Sequence, residues 1–255
     1  MMDQVIHVTS TGSTNDDLME LVRTRRSELS DGTTLWADFQ TAGRGQLGNH
    51  WWSDKDVNLL FSTVFFPDIP VSQQFLLTEI SALAVFDALS NTGVQHLSVK
   101  WPNDIYIGEK KVCGIRNETM LSGGVVDVFV TGIGINVNQR RLDFEAPNPT
   151  SLINELNHPV DRPSLFEDLR KRLVVRYNQL LTDDTHALQA DYFTHLFRRE
   201  GVHRFRETES GVSFDASVVG VKSDGHLQLQ LTDGTVREYA FKQVANVFQN
   251  GKTLE

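Results

Sequence analysis

The segment from residue 40 to residue 53 constrains this chain more than any other. Its sequence, QTAGRGQLGNHWWS, contains three glycines (Gly43, Gly45 and Gly48), one arginine (Arg44) and no acidic side chain. Glycine allows backbone N–H groups to approach a ligand closely and adopts positive φ without penalty. Arginine adds a planar, forked cation that suits carboxylate or phosphate. The segment therefore predicts an anion-binding loop; the alternative from composition alone is a flexible surface turn.

The glycine spacing does not indicate a dinucleotide-binding fingerprint. That fingerprint begins a helix directly after a strand, whereas Trp51 and Trp52 follow this loop in place of an apolar helical stripe. The sequence also contains no GxxxxGK[ST] phosphate loop. A nucleotide would have to bind to a different architecture.

Residues 100–115, KWPNDIYIGEKKVCGI, predict a β-hairpin. Pro102 keeps the residue before it out of the α region, and a Gly-Glu pair marks a turn between two alternating runs. Alternation on the returning strand would place Lys111 and Cys113 on one face and Gly114 on the other. Adjacent lysines on this strand would face opposite sides, so only one of them can point inward.

Residues 131–138, TGIGINVN, predict a strand that alternates small or polar residues with β-branched ones. Glycine inside a strand often marks a place where another group approaches the backbone closely. Gly132 and Gly134 are therefore expected to leave room for a neighbouring group.

Taken together, these segments resemble the biotin–protein ligases, also called biotin–[acetyl-CoA-carboxylase] ligases. Five motifs carry the resemblance in the family's order: Ser13-Thr14-Asn15, Gln40-Thr41-Ala42-Gly43-Arg44-Gly45, Lys100-Trp101-Pro102-Asn103-Asp104, Lys111 with Gly114-Ile115, and Gly132-Ile133-Gly134-Ile135-Asn136. Each motif alone is weak evidence, whereas five in register are specific.

The resemblance implies an α+β fold with a mixed β-sheet and flanking helices, as in class II aminoacyl-tRNA synthetases and biotin synthetases. We expect this catalytic domain to cover residues 1–200. A small SH3-like β-barrel is expected over residues 201–255, where residues 226–231 alternate strictly and Asp233-Gly234 predicts a hairpin turn.

The resemblance also implies a two-step, ATP-dependent reaction. The carboxylate of biotin would attack the α-phosphate of ATP to give biotinyl-5′-AMP and pyrophosphate. A lysine on a biotin carboxyl carrier protein or domain would then accept the biotinyl group and release AMP. Biotin and ATP are the expected substrates, and Mg²⁺ would accompany the triphosphate.

The matching motifs imply a set of site residues. Arg44 and Lys111 would be catalytic, because two anions must be brought together. Asp104 is a candidate Mg²⁺ ligand, or it orients Arg44 or Lys111. The residues expected at biotin are Ser13, Thr14, Asn15, Gln40, Gly43, Arg44, Gly45, Gln46, Lys111 and Gly114, and those expected at ATP or the adenylate are Arg44, Trp51, Asn103, Lys111 and Asn136.

Several of these residues have structural alternatives. Ser13 and Thr14 precede an acidic and then an apolar run, which is typical of a capped helix start. Trp51 could instead be a core residue, and Asn136 could cap the end of a strand. Lys110, beside Lys111, is expected to be a solvated charge. Lys110, Lys111 and Arg116 also form a candidate basic rim for an acidic carrier domain.

The glycine loop departs from several family members in its second half, where Gln46, Leu47 and Asn49 replace arginines. With fewer cations, we expect weaker retention of the adenylate.

Two alternative functions remain. A lipoate–protein ligase shares the chemistry, but its arginine-rich, triple-glycine loop is missing here, and a non-catalytic biotin-binding regulator would not need Arg44, Lys111 and Asn136 together.

Charge and composition exclude other classes. A net charge of −9 and a pI near 5.4 argue against nucleic-acid binding. Because the first motif lies near Met1, we also expect no helix-turn-helix domain before it. The single cysteine, Cys113, excludes an internal disulfide and favours a reducing cytoplasm. No long apolar run predicts a membrane span. Monomer and homodimer both remain open.

Overall fold

The computed structural model describes residues 4–45, 50–142, 148–182 and 185–248, together with the backbone of residues 253–254. The elements of the larger, N-terminal body are β1 (Val5–Val8), α1 (Thr14–Arg25), β2 (Thr33–Ala37), β3 (Leu59–Phe65), β4 (Ile69–Pro70), α2 (Gln74–Ser90), β5 (Leu97–Lys100), β6 (Asp104–Ile107), β7 (Lys110–Ser122), β8 (Val125–Ile135), α3 (Leu152–Leu156), α4 (Arg162–Leu181) and α5 (Thr185–Thr194).

The strands of this body form one eight-stranded sheet in the order β1-β2-β3-β8-β7-β6-β5, with β4 paired to β8. Strands β1 and β2 are parallel, and the other pairs are antiparallel. The expected α+β fold with a mixed sheet is therefore confirmed. The sheet brings β7 and β8, which carry two of the five motifs, side by side at its centre.

Helix α1 lies on one face of the sheet and begins where the sequence predicts. Ser13 is the N-cap, and its hydroxyl accepts a hydrogen bond from the backbone N–H of Asp16 at 3.4 Å. Leu18 and Val22 pack against Leu35 and neighbouring apolar residues of the sheet. The first turn of α1 therefore reaches the same sheet face as the glycines of β7 and β8.

Helices α2, α4 and α5 lie on the opposite face. Helix α2 is buried over most of its length, as expected for a helix that packs between the sheet and α4. Arg176 of α4 links the three helices, because its guanidinium pairs with Asp87 of α2 at 2.8 Å and with Asp191 of α5 at 2.7 Å.

The sequence predicts a helix over residues 185–198, but helix α5 ends at Thr194. The residues that follow it pair with the edge strand β5 instead. The N–H of Val99 donates to the carbonyl of His195, and the N–H of Phe197 donates to the carbonyl of Val99, both at 2.8 Å. This pairing gives hydrogen-bond partners to the backbone N–H and C=O of Val99 at the sheet edge, which a longer helix would have left without them.

The second body is an antiparallel sheet in the order β12-β11-β10-β9-β13-β14. Its strands are β9 (His203–Glu207), β10 (Ser213–Val221), β11 (Leu227–Leu231), β12 (Val236–Tyr239), β13 (Val244–Val247) and β14 (Thr253–Leu254). This small β domain is consistent with the expected SH3-like architecture, and the apolar core of the first body continues into it. The boundary at residue 200 stays a prediction.

Among the described helices, none combines the length and the apolar character that a membrane span requires.

Helix α2 contains a buried carboxyl group. The side chain of Glu79 is only 2% exposed, and its Oε2 has no hydrogen-bond partner among the described residues. Burial raises the pKa of Glu79 from its usual 4.5 to about 8. The carboxyl group is therefore protonated in the folded chain at neutral pH.

We expect Glu79→Gln to change how stability depends on pH. A raised pKa in the folded state contributes stability that is fully present below about pH 4.5 and is lost as the pH rises towards 8. The variant lacks this loss, so its free energy of unfolding should exceed that of the parent by a growing margin, on the order of a few kcal/mol at pH 8. Urea unfolding from pH 5 to pH 9 measures the difference; parallel curves would contradict it.

Candidate active site

Three glycines of β7 and β8 form a flat patch at the centre of the sheet. Gly114 pairs with Gly134 across the two strands, and the indole of Trp51 lies directly on this pair. A Cβ atom added to Gly114 would be 2.7 Å from the Trp51 ring, and one added to Gly134 would be 2.6 Å from it. The expectation that the glycines leave room for another group is confirmed.

Asn15 of α1 lies over the third glycine, Gly132. A Cβ atom at Gly132 would be 1.9 Å from Asn15 Oδ1. The amide of Asn15 donates to the carbonyl of Arg116 at 3.2 Å and to Glu118 Oε2 at 2.8 Å. The hydroxyl of Ser62 donates to Asn15 Oδ1 at 2.5 Å. These bonds fix the first turn of α1 on the glycine patch.

Thr14 and Gln40 join α1 to the start of the glycine loop. The backbone N–H and the hydroxyl of Thr14 both donate to Gln40 Oε1, at 2.8 and 3.1 Å. Ser13 acts as the helix cap, so the capping prediction is confirmed for that residue. The four polar side chains Ser13, Thr14, Asn15 and Ser62 are buried beside the patch. They can offer donors and acceptors to an uncharged polar ligand.

The two ends of the glycine loop meet at Gly43 and Trp51. The N–H of Trp51 donates to the carbonyl of Gly43 at 2.9 Å. A Cβ atom at Gly43 would be 2.5 Å from the Trp51 carbonyl oxygen, so no side chain fits there. Gln46 and the neighbouring residues 47–49 lie outside the described residues. The expectation of weaker adenylate retention, which concerns these residues, therefore stays a prediction.

Arg44 lies on the α1 side of the patch. Its guanidinium is 3.3 Å from Asp16, whose other carboxylate oxygen is 3.8 Å from Arg116. Arg116 also pairs with Glu118 at 2.9 Å. The motifs did not include Asp16 or Glu118, and Arg116 was expected only in the candidate basic rim. Period-two alternation from Gly114 would have placed Arg116 and Glu118 on the site face.

Lys111 faces the same side as Gly114, contrary to the simple alternation. Its Cε lies 3.4 Å from the position of a Cβ atom on Gly114. The cause is a register shift between β6 and β7, where Ile105 pairs with Cys113 but Tyr106 pairs with Lys111. The extra residue in β7 is a β-bulge, which reverses the alternation locally.

The two neighbouring lysines have separate partners. Lys111 Nζ pairs with Asp104 at 2.7 Å, and both side chains are about a quarter exposed (27% and 23%). Lys110 is 57% exposed and pairs with Glu155 at 3.1 Å. The prediction that only one lysine turns inward is confirmed. The pairing of Lys110 and Arg116 with carboxylates leaves the expected basic rim with less charge than the sequence indicated.

The position of Asp104 favours one of its two expected roles. Its carboxylate holds Lys111, whereas Arg44 pairs with Asp16. Within the described ranges, no three His, Cys, Asp or Glu side chains form a group that could hold a metal ion. Mg²⁺ requires oxygen ligands in near-octahedral geometry. The residues present therefore do not fit a Mg²⁺ site built by the protein alone.

Asn103 and Asn136 are both buried near the patch. The amide of Asn103 donates to the carbonyl of Ile115 at 3.3 Å, and the amide of Asn136 donates to the carbonyl of Thr150 at 3.0 Å. Asn136 Oδ1 and Trp51 Nε1 have no hydrogen-bond partner in the part of the chain that the structure describes. A buried donor and a buried acceptor without partners can be satisfied by a ligand.

The space above the glycine pair holds the Trp51 ring. The ring enters because the paired glycines have no side chains there.

Cys113 is fully buried. Burial raises the pKa of its thiol; Asp104 adds to this effect and Lys111 opposes it. Cys113 is therefore a structural thiol.

Comparisons with known proteins place this chain in a family. A model of the Biotin/lipoate A/B protein ligase family matches residues 5–136, which is more than half of the chain. The bifunctional ligase/repressor BirA of Bacillus subtilis is 30% identical over 213 residues, covering 82% of this chain and 65% of that protein. This chain thus spans about two thirds of the length of BirA.

Two further relatives extend the comparison. The biotin–[acetyl-CoA-carboxylase] ligase of Mycobacterium tuberculosis is 33% identical over 190 residues, covering 72% of this chain and 68% of that protein. The biotin protein ligase of Aquifex aeolicus, solved in complex with biotin and ATP, superposes with a TM-score of 0.75 and 27% identity, covering 95% of this chain and 97% of that one. The chain belongs to the Biotin/lipoate A/B protein ligase family.

Proposed function

We propose that this protein is an ATP-dependent biotin–[biotin carboxyl-carrier protein] ligase. The observation that carries the proposal is the position of Lys111, a partly buried lysine beside the glycine pair of the sheet and the Trp51 ring. The relative from Aquifex aeolicus supports it, because that protein of the same fold was solved with biotin and ATP.

The first step joins two anions. A carboxylate oxygen of biotin bonds to the α-phosphorus of ATP, and the bond to the oxygen that bridges to the β-phosphate breaks. Pyrophosphate leaves with that oxygen, and biotinyl-5′-AMP remains. Lys111 supplies a compact positive charge where both anions meet, and Asp104 holds its ammonium group in place. Arg44 is the second cation in the proposal.

Biotin is an uncharged bicyclic urea with an apolar tail that ends in a carboxylate. We place its urea near Ser13, Thr14, Asn15 and Gln40, whose side chains and backbone supply donors and acceptors. The tail then runs over the glycine pair towards Lys111, so the Trp51 ring has to move off the glycines or pack on the ligand. We place Gly43 and Gly45 alongside the tail.

The adenylate would lie beyond the tail. Asn136 Oδ1 and Trp51 Nε1 are the unsatisfied groups that fit an adenine or its ribose, and Asn103 shapes the same wall through its bond to β7. We propose both asparagines as part of the ATP site, as the motifs imply. Because Asp104 is paired with Lys111, we propose that Mg²⁺ arrives with the triphosphate and takes most of its ligands from phosphate and water.

The second step transfers the biotinyl group to the carrier. The neutral amine of the acceptor lysine attacks the acyl carbon of biotinyl-5′-AMP, the bond from that carbon to the AMP oxygen breaks, and the amine loses a proton. We propose a biotin carboxyl carrier protein or domain as the partner, on the name of the Mycobacterium relative. A cytoplasmic location, the lack of DNA binding and a monomeric or dimeric state remain proposals.

Transfer to a carrier domain tests the function. The protein is incubated with ATP, Mg²⁺, a recombinant biotin carrier domain and either biotin or lipoate, and the carrier is analysed by intact mass spectrometry. We expect one biotin adduct per carrier and no adduct when the acceptor lysine is replaced by arginine. A lipoate adduct alone would indicate a lipoate–protein ligase. Biotin binding without any adduct would indicate a non-catalytic regulator.

A further inference from the structure

The turn between β5 and β6 is held from three sides. The indole Nε1 of Trp101 donates to the carbonyl of Gly225 in the second body at 3.0 Å. The hydroxyl of Tyr192 on α5 donates to the carbonyl of Pro102 at 2.6 Å. Asn103 donates to the backbone of β7, as described above. The turn thus joins the second body, the helical layer and the strand that carries Lys111.

The acceptor carbonyl of Gly225 is itself fixed. Gly225 has φ +90° in the turn between β10 and β11, and its N–H donates to the carbonyl of Lys222 at 2.8 Å. A Cβ atom at Gly225 would be 2.5 Å from the ring of Phe75 on α2. The ring of Phe241 meets the indole of Trp101 edge-on at a centroid distance of 6.0 Å. The second body therefore presents a rigid acceptor to Trp101.

The turn leads directly into the catalytic ion pair. Three residues after Trp101, Asp104 begins β6 and binds Lys111 Nζ at 2.7 Å. A shift of the turn would move the Asp104 carboxylate and release the ammonium group. Reacting groups misplaced by about 1 Å can lower a rate by about a hundredfold.

We propose that Trp101 is a positioning residue through which the C-terminal β domain fixes Asp104 and thereby Lys111. This inference rests on the proposed function, since Lys111 matters only if it neutralises charge during adenylation. It gives the C-terminal domain a role in the first chemical step, before any carrier is present. Burial holds the pKa of Tyr192 well above its usual value, with Glu79 adding to the effect, so the second anchor of the turn stays a donor.

Trp101→Phe tests the proposal, because it keeps an aromatic ring and removes the donor. Biotin-dependent exchange of labelled pyrophosphate into ATP is measured without carrier for Trp101→Phe, Asp104→Asn and the double variant. We expect Trp101→Phe to lower the maximal rate about tenfold with an unchanged KM for biotin. In the Asp104→Asn background the same change should have almost no further effect, because the ion pair is already lost.

Trp36→Phe is the matched control. Its indole Nε1 makes no hydrogen bond within the described parts of the chain, so this variant should exchange pyrophosphate at the parental rate. If Trp101→Phe does not fold, Phe241→Ala replaces it, since Phe241 is exposed and touches Trp101 only through its ring edge. It should lower the rate less, and again only while Asp104 is present.

The outcomes separate the two proposals. No biotin-dependent exchange by the parent protein would overturn the proposed function. Exchange by the parent, with the same fold-loss from Trp101→Phe whether or not Asp104→Asn is also present, would overturn the positioning role alone. An unchanged rate in Trp101→Phe would do the same.

Discussion

Lys111→Ala is expected to lower the rate of biotin-dependent pyrophosphate release by about a hundredfold to a thousandfold, which is typical for the loss of one preorganised charge-stabilising group. The ammonium group lies beside the glycine pair and is held by Asp104. Without it, the repulsion between the carboxylate and the α-phosphate is no longer offset. The side chain is partly exposed, so the fold should persist.

Lys222→Ala is the control for this variant. Lys222 also pairs with a carboxylate, Glu238, at 2.9 Å, but its side chain lies on the surface of the C-terminal domain, directly after β10. Time courses of pyrophosphate release should show the parental rate for Lys222→Ala and a strongly reduced rate for Lys111→Ala. Both variants should have the melting temperature of the parent. A rate within twofold of the parent for Lys111→Ala would remove Lys111 from the mechanism.

Gly134→Ala is expected to lower the affinity for biotin by roughly tenfold to a hundredfold, which corresponds to the 1–3 kcal/mol that overpacking typically costs. The added methyl group would lie 2.6 Å from the present position of the Trp51 ring. It would also occupy space that the ligand needs after the ring has moved. Because Trp51 is not fully buried, the unliganded protein can adjust at a smaller cost.

Gly12→Ala is the matched control, because a Cβ atom at Gly12 meets nothing within 4 Å. Isothermal titration with biotin should give the parental dissociation constant for Gly12→Ala and a weaker one for Gly134→Ala. Equal affinities in all three proteins would show that biotin does not lie on the glycine pair.

The fold was largely predictable because local patterns and tertiary packing agree in it. The N-cap at Ser13 and the glycine turn of the β6–β7 hairpin are short-range signals that packing reinforces. The predicted end of α5 at residue 198 was wrong because the edge of a distant strand, β5, competes for the backbone of residues 195–197. No local pattern reports such a competitor.

The site was only partly predictable. Motifs identified Lys111 and the glycines, but not that a β-bulge turns Lys111 to the side of Gly114. One extra residue in a strand moves every later side chain to the opposite face of the sheet from the one that simple alternation predicts. The pairing of Asp16 with Arg116 was missed because it joins α1 to β7 across a hundred positions of sequence. The place of Trp51 on the glycines likewise depends on the folded sheet.

Lys111 and the glycine patch are proposed to serve the activation of biotin by ATP. ATP–pyrophosphate exchange, measured without carrier and with biotin or lipoate as the acid, tests it most directly. We expect rapid exchange that requires biotin, is negligible with lipoate and is lost in Lys111→Ala. Exchange that is independent of biotin, or that persists without Lys111, would contradict it.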